Sequence, residues 1–337
     1  IHPETGLPIV PSRFGWTSVF AEEILELARA DERIVAVTAA MQQPVGLQPM
    51  ADALPDRVID VGIAEQHALT ASAGMAFAGL HPVVALYATF LNRAFDQVLM
   101  DVGLHHAGVT IVLDRAGLTG TDGASHNGMW DMALLSHVPG LRLAAPRDET
   151  TLREDLRTAA ATSDGPTVLR YPKGALPERA PALRVMGPPN DPFEAVDVLM
   201  EADDDGPGER RLLLVAVGAM TPAVLAAGRD LADEGRAVAV VAPRWVVPIP
   251  RALVETARSF DGVVVVEDGL VDGGIGSQLR DALEDNAAET GRRCPVVARV
   301  GVPRRFLGTA SRKQLLADFG MDTEGIAATA RRLLSAV

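Results

Sequence analysis

Two doubly wound α/β domains are the fold the sequence predicts, and three observations carry that expectation. Short β-branched runs alternate with helix-length segments through both halves of the chain, the order of a mostly parallel sheet covered by helices. Runs such as VVALY and VTIVL are almost wholly apolar, as strands buried on both faces require. Between the halves, from Gly174 to about Arg211, the texture turns proline-rich and charged. A length of 337 residues agrees with two domains.

In the first half, strands are expected over residues 34–40, 58–61, 82–87, 109–114, 141–145 and 166–171. Helices are expected over 18–30, 64–78, 91–105 and 149–162, where the runs are longer and less β-branched. The stretch DVGIAEQHA is the sharpest of these junctions: an apolar strand runs into Gly62, and an alanine-rich run follows through Phe77. GALPERAPALRVMGPPNDP then reads as a linker with a short edge strand, and EADDDGPGERR as a charged turn. Alternation resumes with LLLVAVG, AVAVVAP, VVVVED and VVARVG as strands, and with helices over 222–234, 251–259, 276–286 and 311–335. The expected organisation is therefore 1–180 for the first domain, 181–210 for the linker and edge segment, and 211–337 for the second domain.

Composition narrows the function. Hydrophobic residues make up 48% and charged residues 22%, enough to bury a full core. No window reaches the roughly 18 uninterrupted apolar residues of a membrane span. The N-terminal stretch lacks the basic patch and apolar core of a signal peptide. The single cysteine, Cys294, excludes an internal disulfide framework and suits a reducing cytoplasm. A net charge of -13 argues against a nucleic-acid partner, so an anionic substrate must be held by local basic residues against the overall field. The chain starts with Ile1 rather than Met, as a piece of something longer would.

Ligands of open parallel sheets gather beyond the carboxyl ends of the strands, so the polar residues there are the candidates. Glu65 follows the strand at 58–61, in the opening turn of a helix, where the dipole favours its charged form and apolar neighbours its neutral form. Such a carboxyl suits proton sharing with a ring nitrogen; the ordinary alternative is an exposed acid at a helix start. Tyr87 ends the next strand. Phe90 and Arg93 follow, three residues apart on one helical face, able to hold a flat heteroaromatic ring or simply to pack. After VTIVLD come Arg115 and the glycine-rich loop AGLTGTDGASHNG, with Asp122 and His126. Glycines there allow close backbone approach, and His126 is the best placed of seven histidines to polarise a carbonyl or hydroxyl. His67 is assigned to packing or a subunit contact, and His105 and His106 to a helix end. Lys173 follows the strand at 166–171; Arg115 and Lys173 suit a phosphate or carboxylate grip, or salt bridges to Asp114 or Asp122. EDGLVDGGIGS leads into a helix N-terminus, a weak anion-binding signal.

Some chemistries have no signature here. No Cys/His spacing suits zinc, and there is neither a Walker-type phosphate loop nor a G-x-S-x-G elbow. None of the Asp-Gly pairs at Asp122, Asp164, Asp261, Asp268 and Asp272 follows a glycine, so a Gly-Asp-Gly metal and diphosphate signature is missing.

Taken together and in order, DVGIAEQHA, YATFLNRAFDQV, DRAGLTGTDGASHNG and LRYPKG resemble the 1-deoxy-D-xylulose-5-phosphate synthases, thiamine-diphosphate enzymes of the transketolase superfamily. The resemblance runs from about Gly15 to the C-terminus and is densest from Asp60 to Gly174. It implies the pyrimidine-binding and C-terminal domains of a three-domain enzyme, without the domain that binds diphosphate and Mg²⁺. By resemblance, the whole enzyme condenses pyruvate with glyceraldehyde 3-phosphate, releases CO₂ and feeds isoprenoid, thiamine and pyridoxal precursors. Glu65 matches the glutamate that hydrogen-bonds the aminopyrimidine nitrogen, Phe90 the ring-stacking aromatic and Arg93 its neighbour. Tyr87, Asp122 and His126 match the acceptor-aldehyde pocket, with His126 as proton donor, while Arg115 and Lys173 match the phosphate grip. Lys173 stands where arginine is expected, which keeps the charge and loses the bidentate fork. The resemblance also implies a homodimer, a separate diphosphate-binding partner and no metal bound by this chain. Other two-domain readings stay open: a beta subunit of a 2-oxo-acid dehydrogenase first component, half of a split transketolase, or a catalytically silent assembly subunit.

Overall fold

The computed structural model describes residues 15–202, 210–291 and 293–336. In the first half, β1 (Ile34–Thr38), β2 (Val58–Asp60), β3 (His81–Tyr87), β4 (Thr110–Asp114), β5 (Arg142–Ala144) and β6 (Thr167–Arg170) are parallel neighbours. Around them lie α1 (Trp16–Ala30), α2 (Gln48–Ala53), α3 (Glu65–Phe77), α4 (Ala88–Leu91), α5 (Phe95–Gln97), α6 (Asp131–Leu135) and α7 (Glu149–Ala161). In the second half, β7 (Arg184–Met186), β8 (Val196–Met200), β9 (Leu212–Ala216), β10 (Val238–Pro243), β11 (Trp245–Val247), β12 (Gly262–Leu270) and β13 (Val296–Val302) follow. Their helices are α8 (Thr221–Asp233), α9 (Arg251–Ala257), α10 (Ile275–Thr290), α11 (Arg312–Asp318) and α12 (Thr323–Ala336).

The first sheet has the order β11-β5-β6-β4-β3-β1-β2 and the second β13-β12-β9-β10-β8-β7. In the first, the chain reverses its direction of travel between β1 and β3; in the second, between β9 and β12. Those two crevices are where a doubly wound sheet offers room for a ligand. Every residue of β1, β4, β6, β9, β10 and β12 is buried, which explains their continuous apolar runs.

The structure departs from the sequence expectations in four places. Residues 184–200, within the stretch read as linker and edge, build two antiparallel strands on the second sheet. Asp197 interrupts the apolar pattern of β8, but it is buried and paired with Arg147, so the strand stays internal. Residues 203–209 of the charged turn lie outside the described part. β11, short and unmarked by alternation, leaves the second half and pairs antiparallel with β5 of the first sheet. Trp245 fixes it there, 1% exposed and edge-on to Phe193 at 4.8 Å. The helix expected over 91–105 is a series of pieces, with a 3-10 turn at Asn92–Ala94 and a π-helix at Val98–Gly103. The changes of pitch keep Leu91, Ala94, Val98 and Val102 all on the core. The helix expected over 311–335 breaks at Gly320, whose φ of 65° is left-handed. Asp322 restarts it, accepting from the Gly325 N–H at 2.9 Å.

One hydrophobic cluster passes through both halves, from Leu69 and Val84 by way of Val247 to Val215 and Val265. Ion pairs close the same boundary. Arg244 donates to Asp155 at 2.6 Å and contacts Glu154 at 3.0 Å. Burial pushes the Asp155 carboxyl up to about 7, against the pull of Arg244. The folded carboxyl thus keeps its proton to higher pH than the ordinary 3.8, so stability falls as pH rises through the window between those values. Arg244→Leu leaves Asp155 buried without that partner. We expect it to cost about 3–5 kcal/mol at pH 8 and clearly less at pH 5, where the carboxyl is neutral, as read by urea unfolding at both pH values.

Candidate active site

Parallel strands deliver their carboxyl ends to one edge of the sheet, and the candidate residues collect there. Asp60 shapes the first turn: one carboxylate oxygen accepts from the Ala40 N–H at 2.7 Å and the Gly62 N–H at 2.9 Å, tying the exits of β1 and β2. Gly62 has φ 73°, which turns the chain so that α3 starts with Glu65 facing inward. Glu65 is only 3% exposed. Among the described residues its carboxylate accepts no hydrogen bond, and its cation neighbour is Arg93, with Nη1 3.6 Å from Oε1.

From Arg93 a line of stacked side chains runs over the end of β3 to Arg115, just past β4. The Arg93 guanidinium carbon lies 5.8 Å from the Phe90 ring centre. Phe90 stacks on Tyr87 at 5.7 Å with an interplanar angle of 15°. The Arg115 guanidinium covers the other ring neighbour, 3.9 Å from the centre of Tyr87. His126 meets Phe90 edge-on at 5.9 Å. Burial pushes the Tyr87 hydroxyl up; Arg115 opposes that, while Asp114 and Asp122 add to it. Phe90 is half-buried, so part of its ring is free for a ligand.

The glycine-rich loop closes on itself. The Gly117 N–H donates to the Gly128 carbonyl at 3.0 Å, and Asn127 Oδ1 accepts from both the N–H and the hydroxyl of Thr119. The Thr89 hydroxyl holds the Ser125 carbonyl at 2.9 Å, and Ser125 Oγ sits 3.0 Å from Nδ1 of His126. At the tip, Lys173 Nζ donates to both oxygens of Asp122 at 2.8 Å. Arg115, with a left-handed φ of 59°, lies 3.2 Å from Asp114. Both basic candidates therefore carry the acidic partners the sequence offered as alternatives. Asp114 is buried, accepts from Thr17 Oγ1 at 2.6 Å, and is pushed up to about 6 by that burial.

Other sequence candidates fall elsewhere. His67 is exposed rather than packed, and His105 packs edge-on to Phe77 past the end of the π-helix, with His106 beside it. The helix N-terminus after EDGLVDGGIGS is already occupied. Glu267 accepts from the Ile275 N–H at 2.8 Å and the Gly276 N–H at 2.9 Å, and burial pushes its carboxyl up to about 7. Sequence reasoning passed over Asn127 and Arg312, and offered Asp114 only as a salt-bridge partner and Asp268 only as an Asp-Gly pair. Asn127 and Asp114 carry a local signal, as neighbours of His126 and Arg115. No group of three or more metal-ligating side chains occurs among the described residues, nor any helix long and apolar enough to cross a membrane.

A buried carboxylate and a half-open aromatic beyond the carboxyl ends of a doubly wound sheet, braced by a second α/β domain, are the features of a ligand-binding α/β protein. Residues 12–179 match the family description "Transketolase, pyrimidine binding domain", and residues 202–326 match "Transketolase, C-terminal domain". Those two matches take in most of the chain, which belongs to the transketolase family. It is 51% identical over 328 residues to 1-deoxy-D-xylulose-5-phosphate synthase of Leifsonia xyli, covering 97% of this chain and 48% of that one. It is 49% identical over 336 residues to the synthase of Corynebacterium glutamicum, covering 98% and 51%. The chain thus spans about half the length of the curated relatives it matches. Among solved structures, one described as a split gene transketolase, inactive beta4 tetramer, aligns with a TM-score of 0.78 at 28% identity, over 94% of this chain and 97% of that chain. Transketolase from Leishmania mexicana shares the fold, with a TM-score of 0.77 at 20% identity, over 98% and 47%.

The loop's closure gives a test. A Cβ on Gly128 would lie 2.6 Å from both Ala88 Cβ and the Arg115 carbonyl oxygen. Gly128→Ala is expected to lower stability by about 1–3 kcal/mol in urea unfolding, because neither neighbour can withdraw.

Proposed function

We propose that this chain is the pyrimidine-binding and C-terminal part of a 1-deoxy-D-xylulose-5-phosphate synthase. In this reading the complete enzyme joins a two-carbon unit from pyruvate, with loss of CO₂, to glyceraldehyde 3-phosphate. The observation that carries it is Glu65: a carboxylate 3% exposed, with acceptor capacity unused among the described residues, joined through Arg93 to a half-buried Phe90. That pairing fits an aminopyrimidine, which needs a hydrogen-bond partner at its ring nitrogen and a flat apolar face to lie on. When bound, thiamine diphosphate supplies the electron sink that pyruvate decarboxylation needs.

This chain's own side chains then have distinct tasks. Glu65 holds or moves a proton at the pyrimidine nitrogen, with Arg93 alongside. Phe90 carries the ring. His126, fixed by Ser125 and leaning on Phe90, donates a proton to the aldehyde oxygen as it becomes an alkoxide. Tyr87 and Asp122 line the acceptor pocket. Arg115 and Lys173 grip its phosphate, Lys173 giving up its bond to Asp122 as the anion arrives. Mg²⁺ and the diphosphate belong to a further domain or chain, and the assembly is a cytoplasmic homodimer serving isoprenoid, thiamine and pyridoxal synthesis. A second reading, half of a naturally split enzyme, is favoured by the near-complete overlay on the split gene transketolase. Both readings need a partner that binds diphosphate.

The purified chain alone is expected to have no synthase activity, and addition of a diphosphate-binding partner to restore it; turnover by the chain alone would refute this. In the complete assembly, Glu65→Gln is expected to slow H/D exchange at the thiazolium C2 by about a hundredfold or more. Normal exchange in that variant would take Glu65 out of the chemistry.

A further inference from the structure

At the crevice of the second sheet, between β9 and β12, the acidic groups at the end of β12 are engaged: Glu267 by the start of α10, and Asp268 by the first domain. What reaches out of it is the end of β12, and it reaches into the glycine-rich loop of the first domain. Asp268 is 1% exposed, and its Oδ1 accepts from the Leu118 N–H at 3.0 Å. Arg312, at the start of α11, donates through Nη1 to the Leu118 carbonyl at 2.6 Å and through Nη2 to Asp268 Oδ2 at 2.5 Å. Both polar groups of Leu118 are thus taken by the second domain, and the two side chains that take them are paired with each other.

The surroundings leave this clasp no slack. A Cβ on Gly117 would lie 2.2 Å from the Asp268 carboxyl, and one on Gly120 would lie 2.7 Å from the Arg312 backbone nitrogen. The first domain answers with Arg170, which donates to the Asp268 carbonyl at 2.8 Å and to Asp131 at 2.6 Å, so the end of β12 is held on both sides. At the other end of the loop, Asn127 binds Thr119. The segment that carries Asp122 and His126 is therefore anchored where it leaves β4 and where it returns, and the first anchor comes from the other domain.

We propose that Asp268 and Arg312 are positioning residues for the acceptor half of the reaction: they set the loop so that Asp122 and His126 face the incoming aldehyde. The inference rests on the synthase reading above. It also gives the second domain a task in the chemistry, although none of its side chains enters the line from Glu65 to Arg115. Loss of the clasp displaces the loop and its contact on Phe90, but leaves Glu65 and Phe90 themselves in place, since those stand on α3 and α4. Acceptor handling suffers, and donor handling does not.

In Asp268→Asn the shape is kept, but one of the two acceptor oxygens becomes an NH2 group, so the side chain can accept from Leu118 or from Arg312 and not from both. In Arg312→Lys the charge is kept, but one ammonium cannot serve both Leu118 and Asp268. In the complete enzyme each variant is expected to raise the KM for glyceraldehyde 3-phosphate about tenfold or more. The KM for pyruvate and the C2 proton exchange should change less than about twofold. In this chain, each variant is expected to speed amide hydrogen exchange in the loop peptide 118–127 while leaving the β4 amides protected. An unchanged acceptor KM, or a parallel loss on the donor side, would overturn the proposal, as would unaltered exchange in the loop. If the wild-type assembly makes no 1-deoxy-D-xylulose 5-phosphate, the synthase reading falls. The exchange measurement then still decides whether the clasp holds the loop.

Discussion

Arg170 is the charge on which the rest of the arrangement depends. It is 3% exposed at the end of β6, and a guanidinium taken that far out of water must be paired. Its partners are the Asp131 carboxylate of the first domain and the Asp268 backbone of the second. Burial raises the Asp131 carboxyl above its ordinary range, against the coulombic pull of Arg170 and its hydrogen bond. Because one buried cation serves both domains, the two sheets meet with their carboxyl ends toward each other, and the loop between them is gripped from both sides.

That constraint gives the site its division of labour. One side is rigid and mostly apolar: α3 and α4 present Glu65 and Phe90 from elements packed on β1 and β3. The other side is a loop whose ends are buried, with Leu118 fully enclosed, and whose tip, residues 121–126, is more open and depends on hydrogen bonds to the loop backbone for its path. The basic groups around it are each neutralised at rest, Arg115 by Asp114 and Lys173 by Asp122. In a chain with a net charge of -13, such paired cations can face an anion without adding to the protein's own field at a distance.

Most of the elements could be read from the chain because strand burial writes itself locally: IVAVT, HPVVALY and TIVLD each lie inside a sheet with both faces covered. The misses share a cause. β8 carries Asp197, whose charge is cancelled by Arg147, a residue far away in sequence. β11 owes its place to Trp245 packing on Phe193 and to an edge of the other domain's sheet. The continuous helix expected over 91–105 changes pitch so that its apolar residues keep facing the core. The anion-binding turn before α10 is filled by Glu267 from the strand beside it, which only the fold brings within reach.

The chain by itself determined the two doubly wound domains and the set of polar residues at strand exits, because hydrophobic periodicity and a glycine after a strand act over a few residues. It also placed Glu65 at a helix start after an apolar strand. The tertiary structure alone decided which of those residues touch and what holds them. The line from Glu65 to Arg115 needs the strand order that sets β3 between β1 and β4. The clasp on Leu118 joins residues 150 and 194 positions apart. The partner of a buried charge is chosen by sheet order and domain packing, and neither is encoded within the few residues around it.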